Sequence, residues 1–551
     1  MRRTLPLPLT LVLTFACSAC SGSGDGAPTD PVDSTATPTD GGGDTTVVYD
    51  DSGNPIDSGV VVLPDGAVVD TGTPPDGITP PDTTPPPPPP DGGVAGGPTG
   101  CKSIAVAAGA AVEGSAADTF TWSDGDCKTR VASLIRNDKT DAFGEHGGYL
   151  RSLTYDAGGK THVIKGTGSH GWQGFGYIIN HYASTASENQ GFGGTFKTPL
   201  AGKHHAIHEF KLRVNPGGPV DVTVQWVFMT GRSHPLFAIT YDATPAGANT
   251  VKCDTRAPYG DMAWDDGKNG DVSGVGWGDK NKFTTTGAGP VKPTSPWDYT
   301  KPNVVPYAFE WSNATDSEMG LVATVAFDGR ISGDYGGGAI MGHWGKTGTN
   351  LLGDIPDWSW PYQLNQYELP YVTNSHRVSW GTTYGAVGQS SYTAYGKTFS
   401  GYPYQSYTVE VVLGAHAASA TGAAVSEIEA IQGVKVTASR GAVATNGPAG
   451  VGRTDKATYA PVGFDPIYAA FAIDAASNAA TFTIDSGTSS IRTPVIELRG
   501  YTAAAAPSKV TLSGKTLVAD ADYFATVDSA SGKLWLTLNA TITGAATVTV
   551  E

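Results

Sequence analysis

Val220-Asp221-Val222-Thr223-Val224-Gln225-Trp226-Val227 alternates apolar and polar residues. Successive side chains of an extended strand point to opposite faces, so this stretch predicts a strand with one apolar and one polar face. The same alternation returns in Leu236-Phe237-Ala238-Ile239-Thr240-Tyr241 and in Ser406-Tyr407-Thr408-Val409-Glu410-Val411-Val412-Leu413. Turn-forming runs such as Asn215-Pro216-Gly217-Gly218 separate such segments. Many short strands punctuated by Gly, Pro, Asn and Asp predict an all-β chain of sandwich or barrel type. The reading adopted is a large β-sandwich body, a small β-sandwich C-terminal module and a disordered tether before both.

Working outward, one helical signal marks the junction. Ser426-Glu427-Ile428-Glu429 has capping-box spacing, Val425, Ile428 and Ile431 share a face, and Gly433 stops the helix. Beyond it tryptophan almost disappears and Ala, Thr and Val dominate, which divides the chain into a body over 101–420 and a module over 421–551. Within the module, Lys509-Val510-Thr511-Leu512, Ser513-Gly514, Lys515-Thr516-Leu517-Val518, Ala521-Asp522-Tyr523-Phe524 and Lys533-Leu534-Trp535-Leu536-Thr537-Leu538 read as strands and turns. These last 45 or so residues resemble the immunoglobulin-like accessory modules of secreted glycan-active proteins. The resemblance implies a small sandwich and assigns no active site.

The N-terminus addresses the chain. Met1-Arg2-Arg3, the apolar run Leu5 to Phe15, and Ala16-Cys17-Ser18-Ala19-Cys20 follow the order of a secretory signal. The pattern resembles the signal of bacterial lipoproteins, in which small residues precede a cysteine that becomes lipidated. Cys20 fits that position, with Cys17 standing where the family usually has Leu. The resemblance implies a signal over 1–20, lipidation at Cys20 and, since Ser21 is not Asp, an outer-membrane or cell-surface location. The only membrane contact expected is the lipid, because the apolar run is too short to span. From Ser21 to Gly100 there are 13 Asp, 16 Pro and no Lys, Arg, His or Glu. Such a linker over 21–100 buries too little apolar surface to offset its ordering entropy and is expected to be disordered.

Charge narrows the partners. The tether carries −13 and the signal +2 of the chain's −17, which leaves −6 on residues 101 to 551. A mildly acidic body without a basic stripe is not a nucleic-acid binder. In an exported chain Cys101 and Cys127 are the expected disulfide pair, although spacing alone leaves Cys253 as another partner.

Candidate chemistry lies in four places. Ten of the 12 tryptophans fall between Trp172 and Trp380. Indole and phenol rings suit the flat C–H faces of sugars, so Trp264, Trp277, Trp344, Trp358, Trp360 and Tyr362 are candidate glycan platforms, each alone equally a core filler. His204 to Arg213 reads as one strand, with His205, Glu209, Lys211 and Arg213 on one face and His208, Phe210 and Leu212 on the other. The first face suits either a cleft for a charged polymer or plain solvation, and His208 reads as a core histidine. A second strand over Arg232 to Ile239 places Arg232 and His234 on one side; with His376 and Tyr384 they are the candidates for proton abstraction beside a carboxylate. Finally, the loop from Asp254 to Asp279 holds carboxylates suited to glycoside hydrolysis. Its Asp265, Asp266 and Asp271 are weak candidate calcium ligands, calcium being the one cofactor considered. No GxSxG, HExxH or phosphate-loop pattern occurs, and no CxxC occurs in the body after Cys20.

These features favour a surface-anchored polysaccharide-degrading enzyme, lyase or hydrolase. Non-catalytic glycan binding and a structural adhesive role are the alternatives. The sequence names no oligomeric state.

Overall fold

The computed structural model describes residues 60–62, 68–70, 94–112, 114–136, 148–166, 175–182, 194–214, 219–242, 244–246, 253–260, 262–264, 274–278, 284–287, 305, 307–325, 362–364, 378–383 and 404–551. The chain divides into two units, Met1–Thr83 and Thr84–Glu551. In the first, Val60–Val62 pairs antiparallel with Val68–Asp70. Among its described residues the second is all-β apart from short helical segments.

Its organising layer is a nine-stranded sheet. The strands are β1 (Gly194–Ala201), β2 (His205–Val214), β3 (Val220–Met229), β4 (Leu236–Asp242), β5 (Gly274–Gly278), β6 (Thr284–Gly287), β7 (Tyr307–Ser312), β8 (Ser317–Ala323) and β9 (Tyr404–Gly414). Their order is β1-β2-β3-β4-β9-β8-β7-β5-β6, every pair antiparallel. A ten-stranded sheet packs on one face, running from Ala105–Val112 through Phe175–Tyr182 and Cys253–Gly260 to Val378–Thr383 and Tyr362–Leu364. Alternation explains the join. Val222, Val224, Trp226 and Phe228 of β3 are buried, and Phe228 stacks on Phe120 at 4.6 Å between the sheets.

The other face of the nine-stranded sheet changes character along its length. On β3 it begins Asp221, Thr223, Gln225 and ends Val227, Met229. The apolar end, with Ile207 and Leu236, is covered by Val495 and Trp535 of the C-terminal sandwich. That sandwich has two six-stranded sheets, one built on Ala480–Arg492 and Ala540–Val550, the other on Val495–Arg499 and Lys533–Leu538. The core it shares with β7, β8, β9 and the helix runs from Tyr307, Phe309, Val322 and Val412 through Ile428 to Leu536 and Val548. Burying aliphatic and aromatic side chains on this scale is the dominant favourable term in folding.

Three expectations are corrected here. The helix, α1, is Ala420–Gln432, so Ser426 sits inside it rather than at its start. Ser419 is the N-cap and makes no side-chain cap bond; instead Glu318 Oε1, from β8, accepts the Thr421 N–H at 2.7 Å. A tertiary acceptor thus replaces the local one that spacing suggested. The strand expected from Arg232 begins only at Leu236, because Pro235 brings no N–H to a ladder and Gly231, at φ +87°, turns the chain. The tether's end is also ordered: Val94–Gly96 pairs with Ala540–Ile542, and the Gly97 N–H donates to Asn539 O at 2.7 Å. Cys101 and Cys127 are disulfide-bonded just beyond, with Cα atoms 4.3 Å apart.

Candidate functional site

Where the outer face of the nine-stranded sheet stays polar, the module leaves it uncovered on one side, and an open groove of about 440 Å³ results. Its floor is the polar half of the strand alternation. Antiparallel register sets Thr195 opposite Lys211, Arg213 opposite Asp221, Asp221 opposite Asp242, and Thr223 opposite Thr240. Cross-strand partners share a face, so hydroxyls, cations and carboxylates are laid side by side. The far wall is the Val451–Arg453 segment of the module.

Two glycines let that wall approach. A Cβ at Gly450 would stand 1.8 Å from Ser406 Oγ and 2.5 Å from Thr240 Oγ1. Gly452 has φ +74°, a conformation that costs a residue with a Cβ about 1–2 kcal/mol, and faces Thr223 Oγ1. Gly450→Val is therefore expected to push the wall off the sheet and lower stability by about 1–3 kcal/mol. A thermal melt unchanged from wild type would show that the wall is not seated there.

The charges in and around the groove are paired. Arg213 grips Asp221 with Nε at 2.6 Å from Oδ1 and Nη2 at 2.8 Å from Oδ2. Arg453 bridges Asp242 and Asp455, the latter at 2.8 Å. Lys197 and Lys211 reach Glu209 Oε1 at 3.1 and 3.5 Å. Gln225 Nε2 donates to Glu209 Oε2 at 2.7 Å and its Oε1 accepts from Tyr468 OH at 2.9 Å, tying the groove floor to the module.

The expected face of His205, Glu209, Lys211 and Arg213 thus exists, but its members part ways. Lys211 and Arg213 line the groove and remain half-exposed. His205 is sealed under the module, with Nδ1 3.1 Å from Thr526 Oγ1 and Nε2 3.0 Å from Thr537 Oγ1. Burial, with a smaller contribution from His204, pulls its pKa down to about 3. His208, on the opposite face, is fully buried with Nε2 3.1 Å from Asp118 Oδ2 and its ring edge-on to Phe210.

Arg232 and His234 are employed elsewhere than proton abstraction. Arg232 donates to Glu410 at 3.0 Å, to Glu427 of α1 at 2.5 Å and to Arg492 O at 3.1 Å. Burial works against its charge, yet Glu427 and Glu410 raise its pKa further. Burial first, then Arg130 and Arg232, hold His234 well below the usual histidine range. Its Nδ1 accepts the Leu413 N–H at 3.3 Å, which leaves the proton of the neutral ring on Nε2. Such a ring is a donor in this arrangement rather than a base.

Two tryptophans of the Trp172–Trp380 interval have described side chains, and both serve packing. Trp226 is buried edge-on to Phe237, and Trp311 stacks on His416 at 4.6 Å. Trp264, Trp277 and Tyr362 are placed by backbone, opposite Ile164, Ala308 and Trp380. The strands Tyr362–Leu364 and Val378–Thr383 lie against β7, whose sheet neighbour is β5, so Trp277, Tyr362 and Trp380 fall at one end of the body sandwich. Trp344, Trp358, Trp360, His376, Tyr384, Cys20, Asp265, Asp266 and Asp271 lie outside the described residues. Among the described residues no group of three or more His, Cys, Asp or Glu is placed to hold a metal, and no helix is long and apolar enough to cross a membrane.

No family model and no curated protein matches the chain. Among solved structures it is similar to an alpha-mannosidase from Enterococcus faecalis V583, at 7% identity and a TM-score of 0.27 over 74% of this chain and 42% of the other. It is also similar to a glycosyl hydrolase family 38 protein from Enterococcus faecalis, at 8% identity and 0.27 over 83% and 51%. The chain therefore spans about half the length of these proteins or less. A likeness at this level sets neither fold nor function.

Proposed function

We propose that this chain is a surface-tethered, glycan-active protein that holds a polysaccharide segment in the groove above β2, β3 and β4. The observation that carries the reading is the groove itself: an open channel whose floor alternates threonine hydroxyls with ion-paired Arg, Lys and Asp. Sugar hydroxyls both donate and accept, and such a floor offers partners for each. The lipoprotein-like signal ending at Cys20 and the Asp/Pro-rich tether support presentation at the outer membrane or cell surface, with the lipid as anchor.

Cleavage of the bound polymer, by elimination or hydrolysis, is the second reading. What favours it is the meeting of the Trp277, Tyr362 and Trp380 strands at one end of a body larger than binding alone requires. The test follows the full chain against a polysaccharide panel, reading new reducing ends, absorbance of unsaturated uronides and retention in polymer-loaded gels. Retention without new ends supports binding; new ends support a hydrolase, or a lyase if the absorbance rises with them. A protein neither retained nor active on any polymer would sink both readings.

A further inference from the structure

Resting on that reading, we infer that the groove selects an uncharged, hydroxyl-rich polysaccharide over a uronate or sulfated one. The argument is one of charge pairing. Four cations and four carboxylates line or flank the groove: Lys197, Lys211, Arg213 and Arg453 against Glu209, Asp221, Asp242 and Asp455. Lys197 and Lys211 share Glu209, Arg213 holds Asp221 and Arg453 holds both Asp242 and Asp455, so the eight charges balance to zero. A polyuronate brings a negative charge on each sugar and needs cations with no prior partner. Here it would have to draw Lys211 from Glu209 or break Arg213–Asp221 or Arg453–Asp242, and it would face the carboxylates so freed, which penalises it.

A neutral sugar meets the opposite situation. The pairing holds Arg213 and Asp221 in a bidentate fork, so their remaining N–H groups and lone pairs are already oriented for vicinal hydroxyls. Thr195 and Thr223 add hydroxyls on the same face. Substrate charge is thus read by what the groove lacks, a surplus of positive charge among its described lining and flanking residues.

The experiment is affinity electrophoresis of the full chain at low and high salt, in gels loaded with uncharged polysaccharides or with polyuronates. Two variants accompany the wild type. Asp221→Asn leaves Arg213 without its carboxylate, and Thr195→Trp crowds the exposed lip. Retention by at least one neutral polymer, insensitive to salt and weakened about tenfold by Thr195→Trp, is the expected result. Asp221→Asn is expected to weaken that retention and to create salt-sensitive retention by polyuronate. Wild-type retention by polyuronate alone, lost at high salt, would overturn the inference while leaving glycan activity standing. Neutral retention untouched by both variants would remove the groove from it, and absence of retention on every polymer would end the glycan reading as well.

Discussion

Arg232→Ala is expected to destabilise the chain by about 3–5 kcal/mol, the loss typical of breaking a buried ion pair from one side. The side chain is 13% exposed and connects three parts of the chain: β9 through Glu410, α1 through Glu427 and the Arg492 carbonyl before Val495–Arg499. Glu410, 2% exposed, suffers most from the loss. Burial already pushes its pKa up to about 7 against the pull of Arg232, so removing that cation pushes it higher still and leaves a buried carboxyl without its guanidinium donor. The double variant Arg232→Met with Glu410→Leu is expected to recover most of the loss, because an apolar pair of similar volume avoids both desolvation costs. Urea melts of the three proteins give the stability, and gel retention per folded molecule gives the function. Full stability together with lost retention in Arg232→Ala would return Arg232 to the candidates for direct glycan contact.

The second large effect is set by pH. His205 has a folded pKa of about 3, below the ordinary 6.5, because burial disfavours its charged form. The neutral form is the one the fold keeps, so its contribution is fully present above pH 6.5 and is lost as pH falls toward 3. The slope is about 1.4 kcal/mol per pH unit, or about 3 kcal/mol between pH 6.5 and 4. His204 and His234, also lowered, act in the same sense. Glu410 and Asp465, both raised to about 7 with burial as the largest cause, act oppositely: their contribution is lost as pH rises from the ordinary carboxylate range through 7. Comparison of wild type with His205→Gln cancels these shared groups. The variant is expected to be less stable at pH 8, and the gap should close by about 1.4 kcal/mol for each unit below 6.5. Urea melts at pH 8, 6 and 5 that stay parallel would show that His205 is not held neutral between Thr526 and Thr537.

Part of the candidate site was legible from strand period alone. The reading of Glu209, Lys211 and Arg213 as one polar face holds because period-2 alternation is a local property that burial of Phe210 and Leu212 on the opposite face enforces. Thr223 and Thr240 were visible by the same signal in their own strands and were not singled out. Arg453 was not visible: it lies 211 residues after Asp242, on a module segment that only packing brings across the sheet. Arg232 and His234 mislead for the same reason. An Arg and a His two residues apart look like chemistry until Glu410, Glu427 and the Leu413 N–H, supplied by distant elements, occupy them.

By itself the sequence determined the all-β class, the polar and apolar faces of the strands around Val220–Val227, the single face of α1 formed by Val425, Ile428 and Ile431, and the stop at Gly433. These follow from dihedral geometry and side-chain period within a few residues. Only the tertiary structure decided which polar face became a groove and which was sealed. Ile207, Val227, Met229 and Leu236 end the outer face in apolar surface, the C-terminal sandwich docks there, and its edge leaves Asp221 and Thr223 open while closing over His205. Burial is a property of what lies across a face, and the partner across this one begins about two hundred residues later in the chain.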